Sequence, residues 1–382
     1  MVQCGIDRIG QYAQLFHGKR LGMVTSVSGV TCDLRQSYLA FHEQFPLSCL
    51  FSPEHGLYAQ FGNGENVQEE PTEPQTGAAV VSLFGDWTAK HIPDHWLKQL
   101  DGIVYDIQDL GTRFYTFITT MIQVMEDCAG AGLEFIVLDR PAILGGHITE
   151  GCLLEERYKS FIGPYSLPIR YGLTVGELAR MVNEEKNLNC KLHVIPCQGW
   201  KRGQMFPDYG DQWVSPSGAI RDFETALLYP GMCLMEGTSL SEGRGTDRPF
   251  RLVGAPFVDG QRLSREMNEM QLPGVVFEPA EFCPVSSKYK GETCQGVSLR
   301  VTAPAAFRTV RTGVCLLYKI QELYPGMVSF PRCAWSPEPH IRFLAGCDRL
   351  DNQRPELKCL LESWDRDCEA FAKRKQNYHI YD

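Results

Sequence analysis

The stretch Gly102-Ile103-Val104-Tyr105-Asp106-Ile107-Gln108-Asp109-Leu110-Gly111-Thr112-Arg113-Phe114-Tyr115 decides the fold. Its first six residues form an apolar run with the length of a buried strand. Polar and glycine residues break the run, a helical pattern follows over 114–129, and a second apolar run appears at 135–138. Strand, helix and strand in close succession make a βαβ unit, because parallel strands need a crossover rather than a tight turn. Working outward, apolar runs at 21–25, 46–51, 78–84 and 192–195 read as further strands, with helices over 34–44 and 93–99 between them. Thr174 opens another helix, with Glu177 three residues on at capping-box spacing. The first half of the chain is therefore expected to be α/β with a largely parallel sheet.

After about residue 200 the alternation blurs. Strand-like runs at 275–277 and 296–301 mix with helical patterns at 223–228, 311–323 and 357–372, an α+β arrangement. A chain of 382 residues is long for one core, so two domains are expected, over 1–210 and 211–382. The net charge of −9 and pI near 5.6 argue against nucleic acid as a partner. No apolar run has the length of a membrane span. The first eight residues lack the apolar core of a signal peptide, and the fifteen cysteines contain no CxxC pair. A reducing, cytoplasmic setting is the expectation, with no membrane partner.

Four predicted strand ends carry polar groups, and strands running the same way end on one edge of a sheet, where open α/β folds place ligands. The turn after the first strand holds Ser26. The second strand stops at Ser52-Pro53-Glu54-His55-Gly56, since Pro cannot join the ladder and Gly permits a sharp turn. The stretch quoted above supplies Asp106, Gln108, Asp109, Arg113 and Tyr115, and Asp139-Arg140-Pro141 closes another strand. Each has a plainer reading: Asp106 or Asp109 as a helix cap with Arg113 as its partner, Asp139-Arg140 as a local ion pair. Convergence is what favours a site. Farther on, Glu236, Glu242 and Arg244 lie in a loop with three glycines, 236–246, that is neither helix nor strand. The chain has no Walker A loop, dinucleotide fingerprint, GxSxG elbow or HExxH pair. Neither cofactor nor metal is expected, although carboxylates could hold Mg²⁺.

With these motifs assembled, the chain resembles the NamZ-type exo-β-N-acetylmuramidases, glycoside hydrolases of peptidoglycan turnover. The resemblance rests on Phe51-Ser52-Pro53-Glu54-His55-Gly56, on 105–116, on Leu138-Asp139-Arg140-Pro141, on 171–179, on the 236–246 loop, and on Pro249-Phe250 with Gly254-Ala255-Pro256. Ala142-Ile143 stand where the family has Asn-Pro, Ser217-Gly218 fall in its Ser-Pro-Asn region, and Ser26 replaces an Asn. The resemblance implies a Rossmann-like N-terminal domain carrying the site and a smaller C-terminal domain contributing a loop. It implies removal of N-acetylmuramic acid from the non-reducing end of wall fragments, a small-molecule substrate.

Glycosidic cleavage needs a proton donor for the leaving oxygen and a second group. Glu54, matching the family's motif glutamate, is the expected acid, oriented by His55. Enclosed carboxyls can hold protons near neutral pH. Asp106, Asp109, Glu236 and Glu242 are candidates for the second group. Arg113 or Arg244 would clamp the lactyl carboxylate, and Tyr115 would contact the sugar. Two readings compete: a non-catalytic sugar- or nucleotide-binding module, and a Mg²⁺-dependent phosphate-ester hydrolase.

Overall fold

Six parallel strands form the sheet that positions the strand-end residues. They are β1 (Leu21–Thr25), β2 (Leu47–Ser52), β3 (Ala79–Ser82), β4 (Gly102–Asp106), β5 (Glu134–Leu138) and β6 (Lys191–Ile195). Their order is β3-β2-β1-β4-β5-β6, with every neighbouring pair parallel. This is the doubly wound Rossmann order. The chain reverses its direction of travel between β1 and β4, which makes that crevice the topological switch point. The computed structural model describes all residues except Met1, Asn63, Glu69, Glu70, Asp211 and Gln353.

β1 and β4 are buried along their whole length, as strands covered on both faces must be. Leu21, Met23, Leu50, Val104, Ile136 and Ile195 form one core with Phe16, Phe41 and Phe45, whose rings lie 4.9–5.5 Å apart. Register pairs Val24 with Phe51, Thr25 with Asp106, and Tyr105 with Val137, so β1, β2, β4 and β5 end at one level.

Two elements differ from expectation. The third strand stops at Ser82 rather than Phe84. The Ser82 hydroxyl donates to the Phe84 carbonyl and accepts from the Phe84 N–H, which turns the chain out of the sheet. A small hairpin, Phe84–Gly85 with Thr88–Ala89, follows across Asp86 and Trp87, both at positive φ as a primed turn requires. The helix expected from 114 begins at Phe117 as α3 (Phe117–Ala131), after α1 (Ser37–His42) and α2 (Asp94–Gln99). In α4 (Val175–Glu185) the capping box forms as read: Thr174 Oγ1 accepts from the Glu177 N–H, and the Glu177 carboxylate accepts from the Thr174 N–H.

The chain divides into two compact units. The first comprises 1–148, 172–218 and 373–382, and contains the parallel sheet; the second comprises 149–171 and 219–372. The second has a three-stranded antiparallel sheet, β7 (Leu252–Ala255), β8 (Val275–Phe282) and β9 (Cys294–Val301), ordered β8-β9-β7. Its helices include α5 (Phe223–Met232), α6 (Gly260–Glu269), α7 (Thr309–Leu323) and α8 (His340–Ala345), and α9 (Leu357–Lys375) runs back into the first unit. Among the described residues no helix is long and apolar enough to cross a membrane.

Candidate functional site

At the end of β2 the chain turns sharply, with His55 at φ 74° and Gly56 at φ 81°. The turn leaves Glu54 3% exposed. Its Oε1 accepts from the Gly64 N–H at 2.9 Å and its Oε2 from the Thr116 hydroxyl at 2.5 Å. Thr116 stands at the N-cap position of α3, yet makes no side-chain bond to its own helix. A hydroxyl that normally caps a helix is spent on the carboxylate instead. His55 Nδ1 bonds the Phe61 carbonyl at 3.0 Å, which fastens the loop after β2. Gly64 is not among the residues the sequence singles out, and Thr116 enters there only as the last residue of the 105–116 motif, with no role assigned. Because the helix is expected from 114, Thr116 reads as a helical residue rather than a cap, and Gly64 has no signal.

The ends of β4 and β5 are bound to each other. Arg140 donates from Nε and Nη2 to the two oxygens of Asp106, at 2.6 and 2.8 Å, with both side chains buried. A further Nη2 bond reaches the Val30 carbonyl at 2.8 Å. Gln108 Nε2 donates to the carbonyls of Asp109 and Pro141, and Asp109 Oδ2 accepts from the Gly111 N–H. Arg113 is 0% exposed, and Tyr115 packs edge-on against Phe117 at 4.9 Å. Asp139 is fully buried. It accepts from the Arg140 N–H, the Thr174 hydroxyl, the Gly176 N–H and the Tyr381 hydroxyl. Burial pushes its carboxyl up to about 6 against those donors. Gly176 has to be glycine: a Cβ there would lie 2.7 Å from the Asp139 carboxyl carbon.

A cavity of about 800 Å³ opens at this edge of the sheet. Ser28 after β1, Gln108 after β4, and Arg140 after β5 line one side; Phe206, Tyr209 and Trp213 form an aromatic wall. Ser26 reaches it through Ser28, hydroxyl to hydroxyl at 3.0 Å. Glu54 and Arg113 are not among the lining residues. The aromatic wall sits in a Pro- and Gly-rich stretch where the sequence pattern blurs.

The second unit gathers its own charged cluster. Arg244 donates to Glu236 at 2.6 Å and stacks over the Phe250 ring at 4.9 Å. Glu242 accepts from Lys288 Nζ at 3.0 Å, and the same ammonium donates to the carbonyls of Met235, Glu236 and Leu240. Burial works against the charge on both glutamates, but with opposite results. Arg244 outweighs it at Glu236, whose pKa is held down. At Glu242 burial prevails, reinforced by Glu236, and the pKa is raised. Burial also lowers the nearby His340 imidazole. Lys288 and His340 have no motif to betray them. Arg244 keeps 26% side-chain exposure, so of the two arginines expected to clamp a carboxylate it is the one solvent reaches. Among the described residues no group of three His, Cys, Asp or Glu is placed to hold a metal ion.

A doubly wound sheet with an enclosed glutamate at a strand end, joined to an α+β unit, defines a two-domain protein of the Rossmann-like α/β class. The family model described as exo-β-N-acetylmuramidase NamZ, N-terminal, matches residues 21–224, and its C-terminal counterpart matches 227–381. The chain belongs to this NamZ family and is a glycosidase. It is 38% identical, over 389 aligned residues, to the peptidoglycan β-N-acetylmuramidase NamZ of Bacillus subtilis strain 168, covering 100% of this chain and 91% of that one. Two crystal structures of DUF1343 family proteins from Bacteroides fragilis NCTC 9343 share the fold. One has 31% identity and a TM-score of 0.89, the other 27% and 0.79; each match covers 100% of this chain and 99% of that chain.

Proposed function

We propose that the protein is an exo-β-N-acetylmuramidase, releasing N-acetylmuramic acid from the non-reducing end of peptidoglycan fragments with Glu54 as general acid/base. The observation that carries this reading is the setting of Glu54. A buried carboxyl at the carboxyl end of a sheet strand is gripped by a hydroxyl and a backbone N–H, in a chain matched throughout by the NamZ family models. In the reaction Glu54 gives its proton to the oxygen leaving the muramyl C1. Water supplies the hydroxyl that replaces it, and the remaining proton restores the acid. The cavity at the same sheet edge, which Glu54 does not line, has the volume of a small-molecule site, and its aromatic residues suit the apolar face of a sugar. Fifteen cysteines that form no disulfide suit a reducing compartment, and hence the recycling of wall fragments inside a cell.

The test is incubation with the disaccharide N-acetylmuramyl-β-1,4-N-acetylglucosamine, with products followed by mass and by anomer. Free N-acetylmuramic acid is expected from the native protein. Glu54→Gln, which keeps the shape and one acceptor, should lose roughly 10²–10⁴-fold in kcat while melting normally. Absence of N-acetylmuramic acid with the native protein would overturn the activity; near-normal turnover by the variant would overturn only the assignment of Glu54.

A further inference from the structure

The N-terminal segment meets the exit of β6 in a short antiparallel bridge. Gln3 and Gln198 each donate a backbone N–H to the other's carbonyl, at 2.9 and 2.8 Å. The bridge ends there, because the Gly5 N–H turns to the Asp139 carbonyl, and it leaves Cys4 and Cys197 as the next residues along on the two facing segments. Their own N–H groups go elsewhere, Cys4 to the Asp7 carboxylate and Cys197 to the Tyr381 hydroxyl. A disulfide bridges Cα atoms roughly 4.4–6.8 Å apart, the range of residues opposed on neighbouring strands. The two thiols are hydrogen-bonded to each other, and both cysteines are free.

The pair is chemically asymmetric. The bond from Cys197 holds the Cys4 thiol below its ordinary value against burial, with the Arg140 guanidinium helping. Burial pushes the Cys197 thiol up; its single S–H rests on the Asp139 carbonyl at 3.2 Å and turns to the Cys4 sulfur when that sulfur ionises. Cys4 also lines the cavity of about 800 Å³, so a small solute can reach it. Cys32 lines the same cavity and shares the Asp7 carboxylate, which accepts from both backbone N–H groups. Burial and that same carboxylate raise the Cys32 thiol, so it contributes less thiolate.

We propose that Cys4 and Cys197 form a reversible disulfide, a modification site in which Cys4 is the attacking thiolate and Cys197 the resolving thiol. With a hydroperoxide as oxidant, the Cys4 sulfur takes one oxygen and becomes a sulfenic acid while the peroxide is reduced to water. The Cys197 sulfur then attacks the sulfenic sulfur, the S–S bond forms, and the hydroxyl leaves as water with the Cys197 proton. Two thiols and one hydrogen peroxide give one disulfide and two waters. The bond ties residue 4 to residue 197 beside the cavity and ends the Cys197 donation to Asp139. Cys152 and Cys347 of the second unit are an internal control: their thiols are also hydrogen-bonded together, but both are 0% exposed.

The experiment treats the reduced, native full-length protein with stoichiometric hydrogen peroxide, alkylates the remaining thiols, and maps unreduced digests by mass. The expected product is a Cys4–Cys197 linked peptide, roughly 2 Da lighter than its two thiol peptides together and released by dithiothreitol. It should form about tenfold faster than any Cys152–Cys347 link. In Cys197→Ser, Cys4 should accumulate as a sulfenic acid trapped by dimedone. The native protein's map decides the matter without any variant. A Cys4–Cys32 link in its place overturns the proposal, as does a Cys152–Cys347 link forming at the same rate. So does oxidation confined to the exposed Cys32, Cys283 and Cys359.

Discussion

Thr116 and Asp106 show how one residue's partner decides its role. Thr116 occupies a capping position and uses its hydroxyl on Glu54, a local rule broken at the residue proposed as the acid. Thr116→Val should therefore lower kcat about tenfold, the worth of one hydrogen bond to a carboxylate, with KM nearly unchanged. Thr116→Ser, which restores the hydroxyl, should recover most of it; steady-state kinetics on the muramyl disaccharide reads both. If the valine variant matches the native rate, the hydroxyl does not position the acid. Asp106 was legible as an acid at a strand end, but nothing local says that both its oxygens serve Arg140, thirty-four residues later. That pairing has a price in mutants. Asp106→Asn leaves a buried guanidinium without its counter-charge and should cost about 3–5 kcal/mol in denaturant unfolding. A loss below about 1 kcal/mol would show that water or other groups replace the carboxylate.

Elements were legible where their signals are local. β1 runs over the residues its apolar run marks, and the capping box of α4 forms between residues three apart. Boundaries moved where a side chain intervened, as Ser82 does in ending β3. Contacts distant in sequence left no trace: Asp139 at the end of β5 receives the hydroxyl of Tyr381, 242 residues on. The junction of β5 with the start of α4 has a pH signature. Burial raises the Asp139 carboxyl to about 6, whereas an unfolded aspartate titrates near 3.9. Between about pH 4 and 6 the folded state thus holds the proton more firmly, and stability from this group falls as pH rises through that window. Above about pH 6 it levels off. The full change is on the order of 3 kcal/mol. Asp139→Asn cannot titrate and should remove this contribution to the slope, whatever its constant cost in lost acceptors. Urea unfolding of both proteins from pH 4 to 7.5 makes the comparison, and parallel curves would mean that Asp139 stays charged throughout.

At the scale of the whole molecule, composition announces a change of architecture after about residue 200 but carries no sign that the chain returns. Residues 149–171 belong with the second unit and 373–382 with the first. These returns depend on side chains that find partners only after folding. The last four residues illustrate the point. The Ile380 N–H and Arg202 both reach the Glu177 carboxylate, which is 0% exposed, and the Asp382 carbonyl accepts from the Arg202 N–H. Tyr381 supplies its hydroxyl to Asp139 and packs its ring edge-on to Trp200 at 5.2 Å. Removing 379–382 strips partners from Asp139, Glu177 and Arg202 together, and buried groups left unsatisfied cost about 1–3 kcal/mol each. The loss should reach about 3 kcal/mol or more, a fall in Tm of roughly 6–12 °C for a unit of about 200 residues. Tyr381→Phe, which keeps the ring but removes the donor to Asp139 and the acceptor of the Cys197 N–H, should lose about half as much, since two hydrogen bonds are at stake rather than several. Calorimetry of the two proteins separates a tail that completes the first unit from one that merely lies on it. If the truncated chain melts within a degree of the native protein, the buried acids of this unit are satisfied without the tail.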